Sequence, residues 1–340
     1  MDDKMRYVDG SVAPVLLVVF NRPDVTLRTI EAMRNAHPRP TTIYVAADGP
    51  RADKVDDLEK VTATRELVRT QVDWTTDILW RAQDRNLGCR EGVSSAISWF
   101  FGQVDEGIIV EDDCMPGADF FRFCSTMLDR YRHVEKIGHV SGFNYQGGHV
   151  RGQASYYYSR ICHVWGWATW RRAWSGYDVA VPDFAEMVNS KAFRTFCDHQ
   201  PALGNIWRKR FQGVFNGTSN TWDYQWMFLN FKKDRLGICP NVNLVENIGR
   251  LHPDAVHERK PRKPRLPDDP VGRLGVITHP EEIRRDREAD FYVYRHLMYF
   301  SPSKQFKANS VAALAACLRP GGDQSWIHTV LSKSLNVLSR

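Results

Sequence analysis

Gly107-Ile108-Ile109-Val110-Glu111-Asp112-Asp113 is a short apolar run of β type that ends in three consecutive carboxylates. Three like charges side by side repel unless something positive sits among them, and a divalent cation held jointly with a phosphorylated ligand is a natural resolution. The plainer reading is a strand that runs into a solvated acidic turn. The neighbouring segments decide between the two.

Working outward, the first third of the chain alternates strand and helix signals. Pro14 to Phe20 is a continuous apolar strand, and Asp24 can cap a helix whose Val25, Leu27, Ile30 and Met33 lie largely on one face. Thr42 to Ala47 is a second buried strand, closed by the turn signal Asp48-Gly49-Pro50. A polar helix spans about Lys54 to Thr70, a third strand lies near Asp77 to Arg81, and Asn86-Leu87-Gly88 opens a helix to about Phe101. The acidic run is then the fourth strand. This order implies an α/β fold, Rossmann-like, with a mainly parallel sheet flanked by helices, and ligands of such sheets bind beyond the carboxyl ends of the strands.

The polar clusters all sit at those ends: Phe20-Asn21-Arg22 after the first strand, Asp48 to Arg51 after the second, Asn86 to Gly88 after the third, and Glu111 to Asp113 after the fourth. Each has a structural alternative. Asn21 and Asp24 can serve as helix caps, Asp48 can hold its own turn, and Asn86 with Gly88 can form a tight turn. Four coincidences at four successive strand ends favour one converging site. No Gly-x-Gly-x-x-Gly follows the first strand and no Gly-Lys-Ser/Thr loop occurs, which disfavours a dinucleotide dehydrogenase and a P-loop NTPase.

Composition sets outer limits. A chain of 340 residues, 43% hydrophobic, can bury a large core, and its longest N-terminal apolar run, Val15 to Phe20, is far too short to span a bilayer. The expectation is a cytoplasmic protein. Seven scattered cysteines with no Cys-x-x-Cys pair point to reduced thiols and no structural zinc. A net charge of +6 suits anionic partners without choosing among them.

The order Val-Val-Phe-Asn-Arg-Pro, Ala-Ala-Asp-Gly-Pro-Arg, Asn-Leu-Gly-Cys-Arg and Ile-Ile-Val-Glu-Asp-Asp-Cys, with a later Trp-Gly-Trp-Ala-Thr-Trp and Trp-Asp-Tyr-Gln-Trp, resembles the GT-A-fold glycosyltransferases. Within them it is most similar to bacterial nucleotide-diphospho-sugar transferases, and more distantly to N-acetylglucosaminyltransferases with a Glu-Asp-Asp motif, over roughly Pro14 to His257. The resemblance implies that Asp113 ligates Mn2+ or Mg2+ on the donor diphosphate. It further implies that Asp112 contacts ribose or metal-bound water, that Glu111 faces the donor sugar, and that Asp48 with Phe20, Asn21 and Arg22 holds base and ribose. Arg51, Asn86 and Gly88 join the nucleotide-sugar site through their strand ends. A late histidine often completes the metal or diphosphate site in such enzymes; His257 looks like that residue, with His252 as runner-up and a plain surface histidine as the alternative. The donor is expected to be a UDP-sugar, with a GDP-sugar as the other choice, and the acceptor a glycan or a lipid-linked one.

Glycosyl transfer develops negative charge on the departing diphosphate and needs a base on the acceptor hydroxyl. Asp223, in Thr221-Trp222-Asp223-Tyr224-Gln225-Trp226, is the chosen base, because flanking aromatics would desolvate its carboxylate and raise its pKa. A helix N-cap is the alternative for this residue, and Tyr224 stands where relatives carry a second acid. Gly166 between Trp165 and Trp167 permits close approach of a ligand, and the two indoles offer platforms for a pyranose or an acceptor. Trp167, Trp170 and Trp174 also fall at helical spacing, so Trp170 and Trp174 are assigned to the core, and His163 is read as a structural histidine.

The expected organisation is a catalytic domain over residues 1–258, with a nucleotide-sugar part at about 14–115 and an acceptor part at about 116–258. A basic, Pro-rich exposed loop follows at 259–280 and a helical appendage at 281–340. The loop or the C-terminal helices offer peripheral membrane contact, with core packing or simple solubility as the plainer roles. Two rival functions remain. One is a nucleotide-sugar-binding protein without catalysis. The other is a nucleic-acid-binding protein, disfavoured because 40 acidic residues offset the cations and no RNA-binding motif occurs.

Overall fold

The computed structural model describes residues 7, 11–250, 252 and 270–298. Contacts divide the chain into two compact units, one drawn from Met1–Val179 with Asn220–Asp290, the other from Ala180–Ser219 with Phe291–Arg340.

The first unit is built on the expected alternation. β1 (Val15–Val19), α1 (Pro23–Arg34), β2 (Thr42–Ala47), α2 (Asp57–Gln71), β3 (Asp77–Ala82), a π-helical turn at Cys89–Val93, α3 (Ser94–Gln103) and β4 (Glu106–Glu111) follow in order. β1, rich in branched side chains, is buried along almost its whole length, as expected of a strand covered on both faces. α1 starts on Pro23, whose missing N–H costs nothing in a first turn, and buries Val25, Thr26, Thr29, Ile30 and Met33. Its cap position is Arg22, with no side-chain cap bond, so neither Asn21 nor Asp24 caps this helix.

The chain continues through β5 (Cys114–Pro116), α4 (Phe120–Arg130), β6 (Ile137–Ser141), β7 (Tyr156–Ser159), β8 (Trp167–Trp170) and α5 (Arg171–Trp174). In the second unit lie α6 (Phe184–Asn189), α7 (Lys191–Phe196) and α8 (Pro201–Phe215), where Phe184 stacks on Phe215 and Trp207 on Phe211. The first unit resumes with α9 (Asp223–Lys232), β9 (Leu236–Pro240) and β10 (Val245–Asn247), and α10 (Arg287–His296) comes last among the described elements.

The large sheet has eight strands in the order β3-β2-β1-β4-β8-β6-β9-β7, and β5 pairs with β10 in a separate ribbon. β1 is parallel to both β2 and β4, and β2 to β3. Register then brings the strand ends to one edge: Val19 lies opposite Ala47, Ala47 opposite Ala82, and Val18 opposite Glu111. The mainly parallel α/β sheet is therefore as expected, and so is the convergence of its carboxyl ends. β8, β6, β9 and β7 were not read from the sequence.

The tryptophan motif departs from expectation. Trp167 to Trp170 form a strand, antiparallel to both β4 and β6, rather than part of a helix. Spacing of three residues fits either geometry, and the burial of both Trp167 and Trp170 follows from a central strand covered on both faces. Trp170 and Trp174 are core residues, as expected.

Residues 270–280, the end of the basic Pro-rich segment, are pinned rather than loose. Gly272 N–H donates to Asn243 O at 2.9 Å, Leu274 N–H to the Asp119 carboxylate at 3.0 Å, and Thr278 N–H to Ser155 Oγ at 2.8 Å. Residues 259–269 lie outside the described residues, as do the apolar runs at 311–318 and 326–338. Among the described residues no helix is long and apolar enough to cross a membrane.

Candidate active site

The loop after β2 is organised by Asp48. Its carboxylate accepts from Gly49 N–H at 2.9 Å, Leu87 N–H at 2.9 Å, Gly88 N–H at 3.1 Å and Asn86 Nδ2 at 2.9 Å. Four donors fill the acceptor positions of a carboxylate, so Asp48 stitches the second strand end to the third. Burial raises its pKa, against the lowering effect of those backbone donors. Gly88 carries the loop at φ +75°, a left-handed conformation that suits glycine, and Gly49 approaches the Arg85 backbone so closely that a Cβ would collide with it. Asn86 and Gly88 thus belong to the scaffold of the loop.

A second hub escaped the sequence reading. Asp57, almost completely buried at the start of α2, accepts from Asn21 Nδ2 at 2.7 Å and from three nitrogens of Arg51, with Nε at 2.6 Å. The Arg51 guanidinium also lies 5.2 Å over the Phe20 ring. Asn21 and Arg51 are therefore held by Asp57 beside the Phe20 ring. The Arg51 hydrogen bonds hold the Asp57 carboxyl down at about 2, burial notwithstanding. Replacing Asp57 with Ala is expected to cost about 1–3 kcal/mol of unfolding free energy, because the buried Asn21 amide loses its acceptor while Arg51 can turn to water. Asp57→Asn, which keeps an oxygen for Asn21, should cost less. Urea denaturation of the two variants checks both the size and the order. The wild-type contribution is present above about pH 4, the unfolded value, and is lost as pH falls towards 2.

At the acidic turn, the positive partner is a side chain. Arg22 forks onto Asp112, through Nη2 in a short ion pair and Nε at 3.4 Å, and its Nη2 also lies 3.0 Å from Asp113 Oδ2. Asp112 is 3% exposed and takes a further hydrogen bond from the Phe20 backbone, while its own carbonyl accepts from Thr29 Oγ1 at 2.7 Å. Its partners are thus all within the protein. Asp113 is more open, its side chain 16% exposed against 5% for Asp112. Gly249 packs against the Asp113–Arg22 pair so tightly that a Cβ there would fall 2.7 Å from Arg22 Nη1.

Glu111 is partly exposed beside them, and its pKa is pushed up to about 8 by burial first, then by the charges of Asp113 and Asp112. Asp223 contributes to the same shift, which brings the base candidate into electrostatic reach of the acidic turn from 112 residues away in sequence, 223 minus 111. Cys89, at the head of the π-helical turn, reports the same convergence: burial, then Glu111, Asp223 and Asp113, raises its thiol pKa, and its sulfur accepts the Trp222 N–H. Asp223 is the first residue of α9, with Trp222 at the cap position and no side-chain cap bond, so the helix-cap alternative is not what the structure shows. Its carboxylate instead accepts from the Thr221 hydroxyl in a short hydrogen bond. Arg90 N–H donates to Asn220 Oδ1 at 3.2 Å and Tyr177 hydroxyl to Trp222 O at 2.9 Å, which fixes the approach to Asp223.

The Glu111 shift has a testable sign. A carboxyl raised from about 4.3 unfolded to about 8 folded binds more protons in the native state, so stability falls as pH rises between these values. His139 and His163, buried neutral with pKa lowered by burial to about 3 and about 4, act oppositely, and their effect is complete above about 6.5. Between pH 6.5 and 8, in a metal chelator, the melting temperature should fall, and Glu111→Gln should flatten that slope. An unchanged slope in the variant would assign the alkaline loss to other groups.

The expected sugar platform is only partly present. Trp167 is completely buried, stacked between His139 at 5.1 Å and Trp222 at 5.5 Å, so neither face is open to a sugar; this corrects its assignment. Trp165 is half-buried, edge-on to Phe143 at 4.7 Å, with the Arg250 guanidinium 5.4 Å over its ring. Gly166, at φ +58°, leaves room for Val245 and Phe120, so its lack of a side chain serves packing. His163 is buried, as a structural histidine should be. His257 lies outside the described residues, and His252 approaches Asp24 at 3.4 Å.

Among the described residues no three His, Cys, Asp or Glu side chains gather as a ready-made metal site. The donor chemistry nevertheless suits Mg2+ or Mn2+, which take one or two carboxylates and complete their shell with substrate phosphate and water. Asp113 is the carboxylate whose exposure fits that part. All the described residues of the site fall in the first compact unit.

No protein-family model matches the sequence, and no curated protein does. Among solved structures the chain is similar to a mannosyltransferase from Pyrobaculum calidifontis in complex with GDP-Man and Mn2+, at 10% identity over 66% of this chain and 70% of that one, TM-score 0.37. It is also similar to an active-site mutant of LgtC, at 9% identity over 64% and 70% with TM-score 0.33. A third is a cytidylyltransferase from Leptospira borgpetersenii, at 9% identity over 48% and 62% with TM-score 0.29. Likeness of this degree says nothing about the reaction, which must be inferred from the residues of the chain itself.

Proposed function

We propose that this chain is a metal-dependent, inverting glycosyltransferase of the GT-A type that moves a sugar from a nucleotide-diphosphate donor to a glycan or lipid-linked acceptor. The observation that carries the reading is the register of β1, β2, β3 and β4, which brings their polar carboxyl ends to one edge of the sheet, with Asp223 in electrostatic reach of Glu111. Phe20, with the Arg51 guanidinium over its ring, and the loop shaped by Asp48 supply the nucleotide side, with a UDP-sugar as the first choice and a GDP-sugar as the second. Asp113, with Arg22 beside it, faces the diphosphate. A bound Mn2+ or Mg2+ supplies the electrophile that stabilises charge on the leaving diphosphate. Glu111, next to Asp113 in the acidic turn, faces the donor sugar, and Asp223 takes the proton of the attacking hydroxyl.

The catalytic domain is then the body that supplies these residues, and surface polysaccharide or glycoconjugate synthesis on the inner face of the membrane is the setting that such an acceptor suggests. Slow release of nucleotide from a UDP- or GDP-sugar in Mn2+, stopped by a chelator, is the expected result. A purified protein that releases no nucleotide from any donor, and whose melting temperature no donor raises, ends this reading; donor binding without turnover leaves the non-catalytic alternative.

A further inference from the structure

Arg22 is built into the acidic turn. It is the cap residue of α1, its guanidinium is 17% exposed, and it meets two carboxylates from a strand end 90 positions later. The two carboxylates are not equivalent. Asp112 is fixed from three sides by Arg22, the Phe20 N–H and the Thr29 hydroxyl on its carbonyl. Asp113 has one oxygen 3.0 Å from Arg22 Nη2 and the other 3.5 Å from the Cys114 thiol, with Ile248 N–H on its carbonyl at 2.9 Å. Gly249 closes over the pair. Both Asp113 oxygens are therefore engaged before any ligand arrives, and a guanidinium already stands where a cation would approach.

We infer that Arg22 is a resident counter-cation that denies the acidic turn to a divalent metal until a nucleoside diphosphate brings enough negative charge to engage Arg22 as well. This rests on the glycosyltransferase reading for the identity of the ligand and on the geometry for the rest. Two like charges within a few ångströms oppose one another, and a divalent ion beside a guanidinium doubles that opposition. A diphosphate reverses the sign: it accepts hydrogen bonds from the guanidinium while its oxygens complete the shell of the metal. The turn then binds metal and diphosphate together and neither well alone.

The test uses Mn2+ alone as probe, counted by the electron paramagnetic resonance of the free ion, on the full chain. Wild type and Arg22→Lys, which keeps the charge, should bind Mn2+ weakly. Arg22→Gln should bind it about tenfold more tightly or better, and adding Asp113→Ala to that variant should abolish the gain. A folded Arg22→Gln that binds Mn2+ no better than wild type overturns the inference. Should Arg22→Gln not fold, wild-type melting decides: Mn2+ alone should leave the melting temperature unchanged while Mn2+ with UDP or GDP raises it, and a rise with Mn2+ alone overturns the inference equally. A gain of Mn2+ in Arg22→Gln with no donor binding to wild type keeps the counter-cation and removes the glycosyltransferase reading. Donor binding to wild type with no gain in the variant does the reverse.

Discussion

Asp223→Asn should lower turnover by about 10²–10⁴-fold while donor affinity stays close to that of wild type, because the amide keeps the shape of the side chain and removes its ability to take a proton. The structure makes the substitution a clean one. Asp223 is the first residue of α9 and does not cap it, so the helix loses only the ~0.3–1 kcal/mol of a first-turn charge on the helix dipole, and the Thr221 hydroxyl that donates to the carboxylate finds an amide oxygen in its place. The effect on the acidic turn is small and favourable, since Asp223 is one of the charges that raise the Glu111 pKa. If Asp223 is the base of a single displacement, the anomeric centre inverts, and an α-linked donor gives a β-linked product. The anomeric coupling constant of the product reads the stereochemistry, and calorimetry with the donor reads the affinity. A retained configuration, or an Asp223→Asn enzyme of full activity, would remove Asp223 from the chemistry.

Asp113→Ala should abolish the Mn2+-dependent part of donor binding and leave the fold intact. The expected loss exceeds the ~10–100-fold that removal of an outer-shell partner of a metal costs, because Asp113 is proposed to ligate the metal directly. The fold survives because Arg22 keeps its stronger partner, Asp112, and because one of three repelling charges is gone. Asp113 is also the largest charge acting on Glu111, so the stability lost between pH 6.5 and 8 should shrink in the same variant. Donor titrations with and without chelator give the first result and melting curves across pH the second. Equal donor affinity for variant and wild type in Mn2+ would place the metal elsewhere.

The sequence by itself determined the first four strands of the sheet and the strand ends at which the site is proposed. β1, β2, β3 and β4, the helices between them, and the polar residues at four strand ends are all local signals: apolar runs of strand length, turn residues such as Asp48-Gly49 and Asn86-Leu87-Gly88, and a carboxylate triplet that no strand interior tolerates. Local chemistry needs no knowledge of what lies opposite. Tertiary structure decided what each polar residue does, because the answer depends on partners far along the chain. Asn21 meets Asp57 at a separation of 36, Asp48 meets Asn86 at 38, and Arg22 meets Asp112 at 90. Nothing in the spacing of these residues distinguishes a carboxylate that waits for a ligand from one whose lone pairs are already filled. Burial of Trp167 had the same origin, since a Trp-x-x-Trp spacing fits both a helix face and a strand, and only the tertiary fold brought His139 and Trp222 against its two faces. The proximity of Asp223 to Glu111 and Asp113, on which the proposed reaction rests, likewise comes from the fold, which sets the start of α9 near the end of β4.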